Sequence, residues 1–395
     1  MGRVLAGLGS DEEACSWIDR ALAIWQSLGA RREEGRAMFS KALALSDAWL
    51  LQTRDCAEKA MEIARACGDT ATELLAMARL GGVLLPLREA QRGEMLLDSA
   101  AAGARRFGDR HVLAIVSLDL AVSLGDRGHH LKAIALFREV LSFARETGDK
   151  RLAIRALRYI AVDHNRLGDA ASACAGLEEA AAMARAAGAK DMQGRILHTL
   201  ALAVESQSGF ASARRYYDET LELARQVGDP RMEKKALVGI GYGELCCGAL
   251  DRAEEALEQA RLIETESPST HALVLDNLGL VALARGDLDV ANAHLRAAAG
   301  LRRGSANLQL KVFSLTSMAA LLARLGRMKV AATLAAAATH ACEATGMTLD
   351  AYTANVVQSA VAAARQSIAG AEFDAAWAQG LSMSVEDALA LALQA

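Results

Sequence analysis

The sequence predicts an all-α chain of helical hairpins stacked end to end into a right-handed superhelical solenoid. Three observations carry this. Of 395 residues, 52% are apolar but only 4% aromatic, and proline occurs three times. A chain rich in Ala and Leu and poor in Pro holds the best helix formers and almost none of the strongest breaker. A glycine, often followed by Asp, recurs at Gly29, Gly68, Gly108, Gly148, Gly188 and Gly228, in steps of 39 or 40 residues. Between the glycines the apolar residues keep the helical period, as in Ala133, Ile134, Phe137, Val140 and Leu141.

The chain divides into three parts. Residues 1–29 are expected to form a partial first hairpin. Ala14, Ile18 and Ala21 occupy second-helix positions, which places Met1 and Gly2 halfway along the first helix. Because solenoid ends need a polar cap, this start implies a piece of a longer protein. Residues 30–346 form the array of about eight units. A second glycine series, Gly128, Gly168, Gly209, Gly248, Gly286 and Gly326, halves each unit, so a unit is two helices closed by glycine. Glycine accepts the left-handed conformation that ends a helix, and the Asp after it caps the next one. Pro86 falls between two helices of one unit, Pro230 at a first helical turn and Pro268 at a boundary without glycine. Residues 347–395 depart from the repeat. A helix from Leu349, an aromatic pair Phe373 and Trp377 on one helix face, Gly380 as terminator and Ser384 as cap predict closing helices.

Within each unit one pattern holds its spacing. Leu120-Ala121, Ala133, Phe137 and Val140 form one copy, and Ile160-Ala161, Ala173, Leu177 and Ala180 the next. Leu200-Ala201, Ala213 and Tyr217, Ile240-Gly241, Ala253 and Leu257, and Leu278-Gly279, Ala291 and Leu295 follow. The small residues let the two helices approach, and the large residue fills the space between hairpins. This pattern resembles the tetratricopeptide repeat (TPR) over about nine tenths of the chain. The unit is longer than the usual repeat of about 34 residues. Gly replaces the family's closing Pro.

The ending Phe373, Trp377, Gly380, Val385, Glu386 and Ala388 resembles that of large bacterial regulators. In these a STAND-class signal-transducing ATPase precedes a TPR sensor region, with a LuxR-type or winged-helix DNA-binding domain elsewhere. The resemblance implies a sensing module of a cytoplasmic regulator whose nucleotide site lies outside this chain. The alternative is a stand-alone scaffold or adaptor with no switching role.

The concave face of such a solenoid is lined by first helices. In the repeat register its middle carries Arg155, Arg158, Asn165, Arg166, Arg195, His198, Glu205, Lys235 and Tyr242. Leu118, Val122, Leu273, Asp276 and Leu280 are expected on its flanks. A groove with a cationic centre suits an acidic peptide, a protein segment or a small anionic effector. A solvated surface with incidental arginines is the competing reading, and self-association is a further option. The carboxylate clamp of chaperone-binding repeats is not implied, since Val162 stands where its first Asn would be.

Other classes find little support. The net charge of −4, from 44 Lys and Arg against 48 Asp and Glu, argues against direct nucleic-acid binding by this chain. No charged leader precedes an apolar core at the N-terminus, and no apolar run approaches a membrane span. Seven cysteines without a C-x-x-C pair point to core thiols in a reducing cytoplasm, with one of Cys246 and Cys247 in the core. His129-His130 reads as an exposed polar turn. Gly239-Ile240-Gly241-Tyr242-Gly243 reads as close helix packing, since no strand precedes it. Trp17, Trp25 and Trp49 are core or a docking surface. No nucleophile, base and orienting group can be assembled, so neither an enzyme, a cofactor nor a metal is expected.

Overall fold

A computed structural model describes residues 11–45, 49–85, 87, 89–264, 268–303 and 305–395. Met1, Gly2 and Pro86 lie outside these, as do the side chains of residues 11–14. The described residues form twenty helices and no strand. Helix α1 (Asp11–Ser27) comes first. Eight hairpins follow: α2 (Arg31–Ala44) with α3 (Leu50–Ala66), α4 (Thr70–Leu84) with α5 (Ala90–Phe107), α6 (Arg110–Asp126) with α7 (His130–Thr147), and α8 (Lys150–Arg166) with α9 (Ala170–Ala186). The remaining four are α10 (Lys190–Ser208) with α11 (Phe210–Val227), α12 (Pro230–Cys246) with α13 (Leu250–Leu262), α14 (Pro268–Arg285) with α15 (Leu288–Arg302), and α16 (Leu308–Arg324) with α17 (Met328–Thr345). Helices α18 (Ala351–Ser367), α19 (Gly370–Ser382) and α20 (Val385–Gln394) close the array.

Local chemistry sets these boundaries. Every glycine of both sequence series has a positive φ, between 65° and 89°, which an L side chain adopts only under strain. Asp69, Asp109, Asp149, Asp169 and Asp229 each accept a backbone N–H of the helix they open, satisfying donors that the helix itself leaves unpaired. Pro230 stands at the first turn of α12, where its missing N–H costs nothing.

Packing follows the repeat signature. Ala133, Ala173, Ala213, Ala253, Ala291 and Ala331 are all fully buried. The small member of each pair lies where backbones touch: a Cβ on Gly81 would sit 2.8 Å from the carbonyl oxygen of Gly93. The glycines of α12 take side chains from the preceding hairpin and from α13, the partner helix of α12. A Cβ on Gly239 would lie 2.3 Å from Tyr217 and one on Gly241 2.5 Å from Leu257. The Gly-rich segment is a packing surface inside a helix, as its sequence context indicates.

The C-terminal helices cap the apolar edge. Phe373 is buried against Ala332 and Ala364 and stacks on Trp377 at 5.7 Å. Gly380 is required by contact, since a Cβ would lie 2.2 Å from the Thr333 carbonyl oxygen. Ser384 accepts the Asp387 N–H and opens α20, whose Ala388, Leu389 and Ala392 enter the main core.

Three expectations are corrected. The first is the general expectation for a solenoid, that its hairpins touch only their neighbours. The superhelix winds tightly enough for its C-terminal part to meet its middle. Asn307 Nδ2 donates to Asp126 at 3.0 Å, Arg166 Nε donates to Gln309 at 3.0 Å, and the Thr348 N–H donates to the Arg166 carbonyl at 3.0 Å. Gly128 makes this seat possible: a Cβ there would meet Thr345 at 2.7 Å and Leu308 at 2.9 Å. Second, the thiols are not core residues. Five are half-buried, and Cys246 and Cys247, at the end of α12, are both exposed. Third, only His129 of the histidine pair is exposed. His130 is buried, with Nδ1 2.8 Å from Asp163 Oδ1, because Gly125 leaves room for that carboxylate.

Trp17 and Trp49 are partly exposed at the N-terminal end beside the exposed Ile24 and Leu28. No described helix is long and apolar enough to cross a membrane, and no group of three metal-ligating side chains occurs among the described residues.

Candidate functional site

The first helices of the hairpins line the inner wall, and the repeat fixes what they present. Arg155, Arg195 and Lys235 hold one register position on α8, α10 and α12, forty residues apart. Arg158 and His198 share another. Stacking these hairpins therefore stacks their cations. The structure adds Arg79 from α4 and Arg231 from the first turn of α12, which the sequence reading missed. Arg79 was legible in the register, since it directly precedes the pair Leu80-Gly81, as Asp119 precedes Leu120-Ala121.

These groups feel one another. The Lys235 ammonium is held well below its ordinary value, first by the charge of Arg231, then by burial and by Arg158 and Arg195. Burial lowers Arg158, with Arg195 and Arg155 adding to the effect. Burial likewise lowers Arg79, where Arg155 and Arg195 again oppose the charged form. His198 is pushed down to about 3 by burial and by Lys235 and Arg158, so its imidazole is neutral. The cationic side chains are half-buried: water reaches them, but protein surrounds them.

Two carboxylates stand among the cations. Asp119 pairs with Arg155 at 3.4 Å, and Asp229 lies 3.8 Å from Arg195. Arg158 lies over the Tyr159 ring at 4.1 Å. Among the described residues neither Arg158 nor Lys235 forms an ion pair. Arg79, Arg155, Arg158, Arg195, Arg231 and Lys235 thus form one cluster of like charge on the inner wall.

Of the other expected groove residues, Arg166, Glu205 and Tyr242 are engaged within the chain. Arg166 pairs with Asp126 at 3.2 Å and holds Gln309. The Asn165 Oδ1 is buried without a partner. Glu205 accepts the Tyr217 hydroxyl at 2.6 Å, and burial raises its carboxyl to about 7. The Tyr242 hydroxyl donates to Asp350 at 2.6 Å and lies 3.0 Å from Thr353, while its ring meets Phe313 and Tyr352 edge-on. The expected shoulders are corrected as well. Leu118 and Leu280 are buried in cores, and Asp276 is fully buried against Arg302 at 3.2 Å and Ser314 at 2.8 Å. Tight winding converts these positions from lining into interior.

The wall thus splits lengthwise. The C-terminal ends of α8 and α12 are covered by Gln309 and by residues 348–353, while their N-terminal halves form a cationic basin. A separate cleft of about 640 Å³ opens where Arg92 and Arg127 face Lys311 and Glu386. Its cations pair with Glu58, Glu89, Glu94 and Glu386, which leaves it no excess of positive charge.

Against known proteins, no family model matches the chain, and no curated protein matches it. Solved structures do. A Rap protein complexed with Competence and Sporulation Factor aligns over 87% of this chain and 100% of its own, with TM-score 0.55 and 12% identity. The Rap conjugation gene regulator of plasmid pLS20, complexed with the Phr* peptide, aligns over 70% of this chain and 76% of its own, with TM-score 0.54 and 15% identity. An IFIT1 mutant with Gppp-AAAA aligns over 90% and 77%, with TM-score 0.51 and 16% identity. The shared feature is the fold: the chain is an all-α, TPR-like superhelical solenoid of antiparallel helix pairs.

Proposed function

We propose that this chain is an effector-sensing interaction module that takes an anionic ligand in its concave lumen, either an acidic peptide segment or a small anionic effector. The clustering of Arg79, Arg155, Arg158, Arg195, Arg231 and Lys235, which oppose one another's charge, supports this. Unfavourable like-charge contacts persist in a fold when a bound partner relieves them. A Rap regulator of the same architecture is complexed with the Phr* peptide, which favours a peptide among the possible ligands. The C-terminal resemblance supports the further reading that the module belongs to a cytoplasmic bacterial regulator with a STAND-type ATPase. Ligand occupancy would reach that neighbour through the contacts at Arg166 and Tyr242, which tie the inner wall to the C-terminal helices.

The test is Arg158→Glu combined with Arg195→Glu, read by fluorescence anisotropy with a short labelled Glu- and Asp-rich peptide and by titration calorimetry with small anions. Loss of binding at an unchanged melting temperature is expected. Unchanged binding of both probes removes the lumen from the argument. A scaffold role has one observation in its favour, the exposed Trp17, Ile24, Leu28 and Trp49 at the N-terminal end.

A further inference from the structure

We infer that the exposed face of α1 is the interface of a two-fold dimer, in which a second copy of this chain packs its own α1 antiparallel against it. The inference is independent of the anionic-ligand reading, since it concerns the N-terminal end of the solenoid and not its lumen.

The first argument is the repeat register. Helix α1 is a second helix, because Ile18 stands where Leu97, Phe137, Leu177 and Tyr217 stand in later hairpins. Its Ile18 and Leu22 pack with Ala37, Met38 and Ala44 of α2. Among the described residues no first helix of its own lies against the face that carries Ile24. Later hairpins show what that face meets. Ile24 shares its position with Ile63, Gly103, Phe143 and Leu223. Each of these touches the first helix of its hairpin. A Cβ on Gly35 would lie 3.0 Å from Ile63, one on Gly103 2.4 Å from Leu74 and one on Gly194 3.8 Å from Leu223. The Phe143 and His111 ring centres are 6.2 Å apart. Likewise Ala60, Ala100, Val140, Ala180, Thr220 and Ala260 are fully buried, whereas Ala21 at the same position is half-buried. In α1 the face stands open, with Ile24 56% and Leu28 67% exposed.

The second argument is charge. The last turns of α3, α5, α7, α9 and α11 carry Arg65, Arg105, Arg145, Arg185 and Arg225 at one register position. Arg65, Arg145 and Arg225 form ion pairs at the surface. Helix α1 has Gln26 at that position, and no charged residue occurs from Ala21 to Ala30. A helix end facing water gains from a cation in its last turn. One covered by apolar surface must do without it.

The third argument identifies the occupant. Trp17, Ala21, Ile24 and Leu28 are spaced by four, three and four residues, the spacing of a seam between paired helices. It reads the same in both directions about a point between Leu22 and Ala23. A two-fold axis there sets Ala21 of one copy against Ile24 of the other, and Trp17 against Leu28. Small against large is how this array packs its own helix pairs, as at Gly241 on Leu257 and Gly279 on Leu295. Residues beside a two-fold axis also meet their own copies, so a charge there would repel itself, and none is present. Arg20, over the Trp17 ring at 4.4 Å, and Asp19, paired with Lys41 at 2.6 Å, give the face a polar rim. One helix face falls short of the standard interface of about 800 Å² a side, so the dimer is a weak one.

The experiment is sedimentation equilibrium on the full chain from about 1 to 100 μM, the range in which a weak interface fills. The mean mass should rise from one chain towards two and stop there. Ile24→Glu, at an exposed position, should melt as the wild type does and weaken association by about tenfold or more, the effect of burying an unpaired charge. Leu262→Glu, at an exposed leucine on α13, removes apolar surface elsewhere and should associate as the wild type does. Trp17→Lys and Leu28→Glu, both at exposed positions, should each fail to pair alone. Mixed one to one they should recover a dimer, because the new lysine and glutamate then stand opposite each other. A wild type that stays monomeric throughout, the result if another segment of the chain covered the face, overturns the inference. So does association that Ile24→Glu leaves unchanged, or a mass that grows beyond two chains. A mixture that recovers no dimer overturns the antiparallel pairing.

Discussion

Arg166→Ala should unlatch the C-terminal segment from the inner wall. The arginine joins hairpins that lie far apart in sequence. Its Nη2 contacts Asp126 at 3.2 Å, its Nε donates to Gln309 at 3.0 Å, and its Nη1 stands 3.7 Å from Asp163. The Asp126 pair is partly exposed, so it contributes about 0.5–1 kcal/mol. The bond to Gln309 has a charged donor and contributes about 1–1.5 kcal/mol. Asp163 keeps His130 at 2.8 Å, so its loss is small. The sum is about 2 kcal/mol, roughly a thirtyfold shift between closed and open contacts. The Thr348 amide reports the change directly, because it donates to the Arg166 backbone carbonyl, which the substitution leaves in place. Its hydrogen exchange should quicken by about thirtyfold when exchange follows local opening. Arg145→Ala, which removes an exposed pair with Glu179, serves as the control and should leave Thr348 unchanged. Equal Thr348 exchange in Arg166→Ala and wild type would show that the latch is held by the packing around Gly128 and refute the reasoning.

Burial raises the Glu205 carboxyl from 4.5 to about 7, so its favourable contribution is complete below pH 4.5 and is lost as pH rises towards 7. The loss is at most about 3 kcal/mol; Glu205→Gln should abolish it, so urea midpoints of variant and wild type should diverge between pH 5 and 8, and parallel profiles would contradict the burial argument. Gly239→Ala gains about 1 kcal/mol of helix propensity but drives a Cβ into the buried Tyr217 ring, for a net loss of about 1–3 kcal/mol. Combining it with Tyr217→Leu should cost less than the two changes summed, and strict additivity in a denaturation cycle would show that they do not meet. Asp276→Ala leaves the fully buried Arg302 without its carboxylate and should cost about 3 kcal/mol or more, the Ser269 contacts retaining part of the arginine's bonding; an unchanged urea midpoint would refute that.

The helices, their ends and their pairing were legible because short-range rules decide them. Glycine at each positive-φ stop, Asp at each cap and the small residue at each helix crossing act within a few residues of where they are written. The shared register position of Arg155, Arg195 and Lys235 was legible for the same reason. Asp276 shows where the method stopped. The register placed it on the groove flank, yet it lies in the interior bonded to Arg302 and Ser314, whose positions depend on how strongly successive hairpins rotate.

By itself, the sequence determined a TPR-like array of helical hairpins. Only the tertiary structure decided how far the superhelix winds, because that rotation is a small angle accumulated over many interfaces. Its outcome is read in pairs such as Asn307 with Asp126, 181 residues apart. The same winding covers Arg166 and Tyr242 with the chain's own C-terminal segment and leaves the remaining cations half-buried on the inner wall.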